Sequence, residues 1–421
     1  MNKWIFQSNI PRKGPTVHKV YYPKTPEDIE AIVKKNGPFL GFGGGHSHSR
    51  IDETRRATNF ISSRRIKHIY KVSPETLDTE TRLKRRLADI VDPVICPREN
   101  YPFKDYFINV GSGVTLNELS EYLQAKGLSL PVSSSFGNET LGGCSQTGTH
   151  GSGLYLGCIA DYIVSIRIVT PDGVFATIEP HRKVSTDEVC NVNDFFHSVC
   201  CGVGGLGFVY DMVILVQDAV QYKEQSNTTS WLAFRGDLDE FVEDVRELEL
   251  LIDPYSNNVK VMQRGPFLKQ FNYAEKKDVK DASGIFLSTE SAVPIKDMDD
   301  IKVVVNACMF YITQKKLQCY PLHIRFGAKS KHYLAATNHD DDIIGFVYIK
   351  LSMAMEKNAD RNLRDLTNFE TFVASYEGQQ NMAYIQGAIS ERKGVRKWGE
   401  VYDLFENNPF GSDFADELSG N

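Results

Sequence analysis

The chain lacks the features that mark several classes of protein. Its eight cysteines are spread over 421 residues without a Cys-x-x-Cys pair, so no disulfide framework is expected. It contains no run of about 20 uninterrupted apolar residues, and no membrane-spanning helix is predicted. An excess of one charge is also missing, because 48 basic and 54 acidic residues leave a net charge of −6. This balance argues against a nucleic-acid partner bound by phosphate neutralisation.

What is present is the composition of an ordinary globular protein. Hydrophobic residues make up 41% of the chain and charged residues 24%, which excludes a collagenous, low-complexity or largely disordered chain. Residues 1–15 have no apolar core of signal-peptide length, so a soluble, cytoplasmic protein is expected. The length suffices for about two or three domains. The composition does not indicate an oligomeric state.

Patterns typical of strands and helices alternate in the first half. A β-rich run at 17–22 precedes Thr25, a proline and two acids, which is the pattern of a capped helix start. The same order recurs at residues 107–127, where Thr115 and Glu118 have the spacing of a capping box. Residues 162–178 are typical of a β-hairpin around a Pro-Asp-Gly turn. The first domain is predicted over residues 1–218.

Between about 62 and 104 the periodicity is lost and lysine and arginine accumulate. We interpret this stretch as a surface insertion. The basic run at 82–86 indicates a solvated face, with a partner-binding patch as the alternative.

The pattern changes after residue 218. Residues 237–252 have the apolar spacing of an amphipathic helix, while 303–312 and 343–351 have the composition of strands. A second α+β domain with an antiparallel sheet is therefore predicted over residues 219–392. The remaining segment, 393–421, turns acidic toward its end.

Three glycine-rich segments stand out in the first domain. Residues 39–49 (F-L-G-F-G-G-G-H-S-H-S) lead an apolar run into three glycines, which form either a phosphate-binding loop or simply a tight turn. Residues 141–153 contain five glycines and four hydroxyl side chains. Residues 202–207 (G-V-G-G-L-G) precede an apolar strand, where glycine indicates close approach of another group. Together they predict one extended cofactor rather than three unrelated turns.

These segments resemble the FAD-binding domain of the vanillyl-alcohol-oxidase (PCMH) type, and most closely its sugar-1,4-lactone and alditol oxidases. Residues 43–47 (G-G-G-H-S) are similar to the family's pyrophosphate loop, 147–153 (T-G-T-H-G-S-G) to its flavin-wrapping segment, and 204–207 (G-G-L-G) to the turn before the adenine-side strand. The resemblance covers residues 17–217 apart from the insertion. The FAD contacts that it implies are Gly43, Gly44, Gly45, His46, Ser47, Gly143, Thr147, Gly148, Thr149, His150, Gly151, Ser152, Gly205 and Gly207.

The resemblance also implies the architecture and the mode of attachment. The fold is expected to be α+β, with a two-lobed PCMH-type FAD-binding domain, a cap domain that binds substrate, and a segment 393–421 that returns to the first domain. The family's loop histidine commonly carries the flavin through a covalent bond, which would make His46 the attachment residue. A structural histidine, or a metal ligand together with His48, remains open, although no neighbouring Cys or carboxylate completes a metal site. No metal is predicted.

The substrate side departs from the family pattern. The sugar oxidases carry an acid and an arginine two residues apart on a strand that faces the flavin. Here Arg325 is kept and His323 stands where the acid is expected, and strand alternation puts both side chains on one face. Arg325 could stabilise charge on reduced flavin or hold a substrate oxygen, and neutral His323 could accept a hydroxyl proton. A surface pair on an edge strand is the alternative.

The C-terminal pattern is altered too. The family often has His-Trp-x-Lys beside the flavin, and residues 397–400 read K-W-G-E here. Trp398 is expected to pack, with Lys397 and Glu400 as candidate active-site charges.

The implied function is FAD-dependent oxidation of a carbinol of a sugar lactone, polyol or related alcohol, with O₂ as the acceptor that the resemblance favours. The expected partners are thus a small-molecule substrate and O₂ or another electron acceptor. Alternatives are the same fold acting on a non-sugar alcohol or phenolic substrate, and a flavin-binding protein without turnover.

Overall fold

The computed structural model describes residues 17–35, 37–47, 58–79, 81, 106–134, 137–180, 192–284, 286–339, 342–354, 359–384, 393–405, 408–410 and 413–419. The strands are β1 (Val17–Tyr21), β2 (Phe39–Phe42), β3 (Thr58–Ser62), β4 (Ile69–Val72), β5 (Tyr106–Gly111), β6 (Leu128–Ser129), β7 (Ile163–Val169), β8 (Phe175–Ile178), β9 (Phe208–Asp218), β10 (Lys223–Ser230), β11 (Glu247–Asp253), β12 (Asn258–Gly265), β13 (Phe286–Ile295), β14 (Leu322–Gly327), β15 (Gly345–Ala354) and β16 (Gln379–Gln380). The helices are α1 (Pro26–Val33), α2 (Leu116–Gln124), α3 (Leu141–Thr147), α4 (Val192–Val199), α5 (Trp231–Phe234), α6 (Leu238–Asp244), α7 (Met298–Lys315), α8 (Ala359–Ala374), α9 (Lys393–Tyr402) and α10 (Asp413–Ser419).

Both helix starts predicted in the first domain are confirmed. The Asp28 N–H donates to Thr25 Oγ1 at 3.3 Å, and the Thr25 N–H donates to the Asp28 carboxylate at 3.2 Å, which is a capping box. Thr115 and Glu118 start α2 in the same way. These caps satisfy amide groups that have no partner inside the first turn of a helix, so they position the start from local sequence alone.

The first domain has two sheets. β1, β3 and β2 form a small parallel sheet in that order. The larger sheet is antiparallel, in the order β4-β5-β9-β7-β8, and β6 also pairs with β9. The predicted hairpin is confirmed as β7 and β8, with Gly173 at the turn in the left-handed region, φ +78°. The glycine-rich segments follow β2, surround α3 and precede β9, so they lie where these two sheets meet.

The second domain is built on an antiparallel sheet of the order β10-β12-β11-β14-β15-β13-β16. One face is apolar and shares a buried core with α6, α7 and α8. Because strand side chains alternate, the other face collects polar and charged groups, and it faces the first domain. That face, called the polar cap face below, carries Glu247, Glu249, Arg264, Ser288, Glu290, His323, Arg325, Tyr348, Lys350 and Ser352.

Two secondary-structure predictions in this domain are wrong. Residues 237–252 form a short helix and then strand β11, because Val245 has extended backbone angles and the following apolar residues also fit a period of two. Residues 303–312 lie in helix α7 and not in a strand. Asp297 and Asp300 form a capping box at its start, and this cap and the packing outweigh the strand preference of three successive valines.

The predicted insertion is wrong in its first part. Residues 63–72 belong to the fold, because β4 pairs with β5 and Ile66 is buried. Residues 82–105, with the basic run at 82–86, lie outside the described residues.

The C-terminal helices α9 and α10 contribute side chains to the core of the first domain, among them Trp398, Tyr402 and Leu418. Among the described residues, no helix has both the length and the apolar character needed to cross a membrane.

Candidate functional site

All three glycine-rich segments line one cleft of about 1200 Å³, counting its open mouth. This cleft lies in the first domain and reaches Ala383, just after the sheet of the cap domain. The residues predicted to contact the cofactor that line it are Gly43, Gly44, Gly45, His46, Ser47, Gly143, Thr147, Thr149 and Gly207. Segments more than 150 residues apart in sequence therefore meet at one binding surface.

The first loop is held tightly against helix α3. A Cβ at Gly43 would overlap Thr140 Oγ1, and Thr140 in turn accepts the Gly143 N–H as the cap of α3, at 3.3 Å. Gly45 has φ +74°, which favours glycine because other residues are strained there. The loop thus needs glycine for close approach to the protein itself as well as for its backbone path.

His46 lies in the wall of the cleft beside the Asn138 backbone carbonyl, with which its imidazole forms a hydrogen bond. Burial lowers the pKa of His46, and this effect outweighs the hydrogen bond, so the ring is neutral at neutral pH. Ser47 Oγ donates to the Ala383 carbonyl at 3.4 Å and links the loop to the cap domain. His48 lies outside the described residues, and within these residues no group of three or more metal-ligating side chains occurs.

Part of the second segment lines the cleft, and the rest lies at the junction between the two domains. Thr147 Oγ1 donates to the Gly143 carbonyl at 3.1 Å, and Gly148 ends α3 with φ +66°. Gly148, His150, Gly151 and Ser152 do not line the cleft. Ser152 Oγ donates to the Leu248 carbonyl of β11, so this part of the segment holds the cap sheet.

His150 is buried and contacts the polar cap face. Its ring stacks on Tyr348, with centroids 3.6 Å apart and an interplanar angle of 10°. The two ring nitrogens lie 2.8 Å from the Gly151 carbonyl oxygen and 3.0 Å from Glu290 Oε1. The structure therefore puts His150 between the two domains and away from the cleft wall where sequence resemblance had suggested an FAD contact.

The third segment approaches the cleft through Val203, Gly204 and Gly207. Gly207 has φ +126°, and a Cβ there would overlap the Val169 carbonyl, so only glycine fits. Gly205 lies outside the cleft and packs against Trp398. A Cβ at this position would be only 2.9 Å from the Trp398 ring, so glycine leaves room for the indole.

The structure does not bring Lys397 and Glu400 to the cleft wall. Trp398 is fully buried and stacks on Tyr402, with centroids 4.9 Å apart. Lys397 Nζ lies over the Tyr333 ring at 5.1 Å, and Glu400 is exposed. Neither charge lines the cleft, because α9 is oriented by the burial of Trp398 against the first domain.

Arg325 belongs to a buried network on the polar cap face. Its guanidinium pairs with the carboxylate of Glu290, which also accepts the Asn381 Nδ2 group at 2.8 Å. Burial alone would raise the pKa of Glu290, but the charge of Arg325 and the contact with His150 hold this pKa well below its usual range. Arg325 Nε is buried and has no hydrogen-bond partner among the described residues. The alternative of a surface pair is therefore wrong for Arg325.

His323 shares that face but has a different partner. Its Nε2 lies 2.7 Å from Glu249 Oε2, and the two side chains are 11% and 20% exposed. Burial raises the pKa of Glu249, yet the hydrogen bond and charge of His323 with the charge of Arg325 lower it to about 2. Glu249 is thus a permanent anion that orients the imidazole.

Three carboxylates at the cleft and on the polar cap face were missed in the sequence: Glu139, Glu249 and Glu290. Glu290 had a usable signal, since a carboxylate inside the buried strand β13 must be paired or hydrogen-bonded. Glu139 lines the cleft directly before Thr140, and burial raises the pKa of its carboxyl to about 7. Nothing in its local sequence indicates this burial.

The cleft fits an elongated diphosphate ligand such as FAD. Ser63 Oγ and Ser112 Oγ are buried in its wall and have no hydrogen-bond partner among the described residues. Unpaired buried hydroxyls are unfavourable unless a ligand or water meets them. The same wall contains the bare backbone of Gly43, Gly44, Gly45 and Gly143, so hydroxyl groups and glycine backbone are available together.

Comparisons with known proteins agree with this site. Residues 97–179 match the family model described as an FAD binding domain. The first domain is thus an FAD-binding domain, and FAD is its cofactor.

Relatives among characterised proteins are sugar-lactone enzymes. The chain is 28% identical over 159 residues to L-galactono-1,4-lactone dehydrogenase 2 of Oryza sativa, covering 38% of this chain and 26% of that protein. It is 27% identical over 155 residues to L-gulonolactone oxidase of Scyliorhinus torazame, covering 37% and 33%. With D-arabinono-1,4-lactone oxidase of Candida albicans the identity is 20% over 243 residues, covering 56% and 39%. The matches thus span about a quarter to two fifths of the length of these relatives.

Solved structures show the fold over nearly the whole chain. Cholesterol oxidase from B. sterolicum superposes with a TM-score of 0.70 at 11% identity, covering 95% of this chain and 93% of that one. The corresponding values for 6-hydroxy-D-nicotine oxidase from Arthrobacter nicotinovorans are 0.63, 10%, 96% and 94%. The predicted fold class, a PCMH-type FAD-binding fold with an α+β cap domain, is confirmed.

Proposed function

We propose that this chain is an FAD-dependent oxidoreductase that oxidises a carbinol of a sugar lactone, polyol or related polar alcohol. The observation that carries the proposal is the convergence of three distant glycine-rich segments on one cleft, with the unpaired Ser63 and Ser112 hydroxyls in its wall. The FAD-binding match at 97–179 and the sugar-lactone enzymes among the relatives support it. O₂ is the proposed acceptor, which gives H₂O₂ as the second product.

FAD supplies a hydride acceptor for this reaction, while the protein supplies position and electrostatics. The loop at residues 43–47 and the hydroxyls of Ser63 and Ser112 hold the diphosphate. His46 attaches the flavin through a single covalent bond. The lowered pKa of His46 supports this role, because an imidazole nitrogen must be unprotonated to act as the nucleophile.

The polar cap face binds the substrate. Its charges pair with one another, but donors such as Arg325 Nε remain, and a polyhydroxylated molecule can meet them whereas a hydrocarbon cannot. Arg325 Nε, buried and without a partner among the described residues, holds a substrate oxygen. This chemistry favours a sugar-like alcohol over the sterol named for the structural neighbour.

The cofactor half of the proposal is tested on the purified protein. The wild type is expected to be yellow and to keep its colour in the acid precipitate. His46→Ala should release the flavin into the acid supernatant, because no covalent bond can form. His18→Ala is the matched control, since His18 is exposed on β1 and should leave the linkage intact. Acid-stable flavin in His46→Ala would contradict the attachment.

The substrate half is tested by anaerobic bleaching of the flavin together with peroxide detection in air. Aldonolactones and alditols are expected to bleach it, and bleached enzyme should return to yellow with release of H₂O₂ on mixing with air. If only phenolic or other non-sugar alcohols bleach the flavin, the proposed sugar-like substrate class is wrong and such an alcohol is the substrate. No bleaching by any donor would favour a flavin-binding protein without turnover.

A further inference from the structure

Glu139 lies between the cofactor loop and the polar cap face. The preceding residue, Asn138, provides the carbonyl beside His46, and the following residue, Thr140, caps α3. The Glu139 side chain lines the same cleft and interacts electrostatically with Arg325 of the cap domain. Its carboxylate is therefore positioned where the cofactor cleft meets the surface proposed to bind the substrate.

The surroundings of Glu139 raise the pKa of its carboxyl into the neutral range. Burial raises the pKa to about 7 and outweighs three opposing effects, namely the backbone N–H of Glu139 itself, the Ser134 hydroxyl at 3.5 Å and the charge of Arg325. Arg325 has limited influence because Glu290 pairs with its guanidinium directly. A carboxyl of this kind exchanges protons near physiological pH, as a general base must.

The other titratable side chains in the cleft wall, within the described residues, are His46 and Cys144. Burial lowers the pKa of His46 and raises that of Cys144, so both are uncharged near pH 7. Neither one supplies a carboxylate that could take a proton from an alcohol. Glu139 is consequently the cleft group whose charge changes in the neutral range.

His323, the base that strand position suggested, is less suited to this task. Its Nε2 donates to Glu249 at 2.7 Å, and Glu249 stays ionised because its pKa is about 2. His323 also does not line the cleft, whereas Glu139 does. The His323–Glu249 pair serves to shape the polar cap face.

We propose that Glu139 is the catalytic base, accepting the hydroxyl proton of the substrate alcohol at its carboxylate. This inference rests on the proposed function. The O–H bond breaks and its proton goes to a Glu139 oxygen, while the C–H bond pair leaves as hydride to oxidised FAD. The carbinol carbon thereby becomes a carbonyl, and the oxidised cofactor is the two-electron acceptor that balances the step.

The test is the anaerobic rate of flavin reduction, measured by stopped flow at saturating substrate from pH 5 to 9. In the wild type the rate should rise tenfold per pH unit below about 7 and then level off, because only ionised Glu139 accepts the proton. Glu139→Gln should lower the plateau by about 100-fold or more and abolish this limb. Glu139→Asp should retain a limb at a reduced rate, which guards against a folding defect of the amide variant.

Two controls locate the effect. Glu121→Gln, on the exposed side of α2, should reproduce the wild-type profile. His323→Asn should keep the limb that depends on Glu139. A limb that persists in Glu139→Gln and disappears in His323→Asn would overturn the proposal and make His323 the base.

A direct titration gives a readout independent of turnover. Infrared spectra of the holoenzyme should show a carboxylic-acid C=O band that is lost with a midpoint near pH 7 and is missing in Glu139→Gln. If the band is unchanged in the variant, the assignment of Glu139 fails while the flavoprotein assignment stands. A protein that binds no flavin would instead contradict the proposed function, and the same titration could then be recorded on the flavin-free protein.

Discussion

Replacing Glu290 by glutamine should destabilise the cap domain severely. The substitution keeps the shape of the side chain but removes the negative charge opposite Arg325, whose side chain is only 7% exposed. Breaking a buried ion pair on one side costs about 3–5 kcal/mol, because the remaining charge is left in a poorly solvated site. The contacts with His150 and Asn381 are made to the same carboxylate, so we expect a loss within this range.

The assay is guanidinium unfolding at pH 7, combined with hydrogen exchange of peptides from β13 and β14. Glu377→Gln is the matched control, because its ion pair with Lys296 is 3.5 Å long with side chains 59% and 53% exposed. Exposed pairs contribute about 0–1 kcal/mol, so the control should lie near wild type. Exchange should accelerate in Glu290→Gln only.

The effects of substituting Glu290 and Arg325 on stability should be coupled. Arg325→Met should destabilise by a similar amount, and the double variant with Glu290→Gln should lose at least about 1 kcal/mol less than the sum of the two. Since the pKa of Glu290 lies below its unfolded value of 4.5, its contribution is present above that pH and falls away as pH drops through the lower folded pKa. Losses below about 0.5 kcal/mol in both single variants would refute the buried-pair interpretation.

Three further outcomes follow from the packing of the first domain. Gly207→Ala should lower the stability by about 2 kcal/mol or more and reduce the flavin content, because of φ +126° and overlap with the Val169 carbonyl. Gly236→Ala, with its nearest contact at 3.8 Å, should do neither, and calorimetry with the flavin absorbance of the purified proteins compares the two. Trp398→Ala should cost about 3–5 kcal/mol in chemical unfolding, because a buried aromatic is removed from a packed core. Lys397→Ala should change the rate of flavin reduction less than twofold, and a larger decrease would restore a catalytic role.

The features of this protein that could be predicted from sequence are those with local physical causes. The two capping boxes, at Thr25 and Thr115, are made within four residues. The hairpin turn at Gly173 needs a positive φ, which a Pro-Asp-Gly sequence provides. The glycine-rich segments could be interpreted as one cofactor site because glycine weakens a regular helix or strand and instead marks close approach of another group. This inference does not depend on contacts elsewhere in the chain.

Local sequence failed where two structures suit the same residues. Residues 237–252 have apolar positions that fit a helix and then a strand, and the sheet partner of β11 decides between them. The valine-rich run at 303–305 favours a strand, but helix α7 packs beside α8 against the sheet and buries Val304 and Val305 in the shared core. Propensity differences amount to less than about 1 kcal/mol per residue, so tertiary packing outweighs them.

The amino-acid sequence by itself predicted one extended cofactor site from its three glycine-rich segments, and its resemblance to the sugar oxidases put Arg325 on a strand of a second domain. Only the tertiary structure decided which charges meet on the polar cap face. It brought Glu290 and His150 to Arg325, paired His323 with Glu249, and placed Lys397 over the Tyr333 ring, outside the cleft wall. The reason is that glycine motifs act through their own backbone, whereas the charge and pKa of a side chain depend on neighbours distant in sequence and on burial.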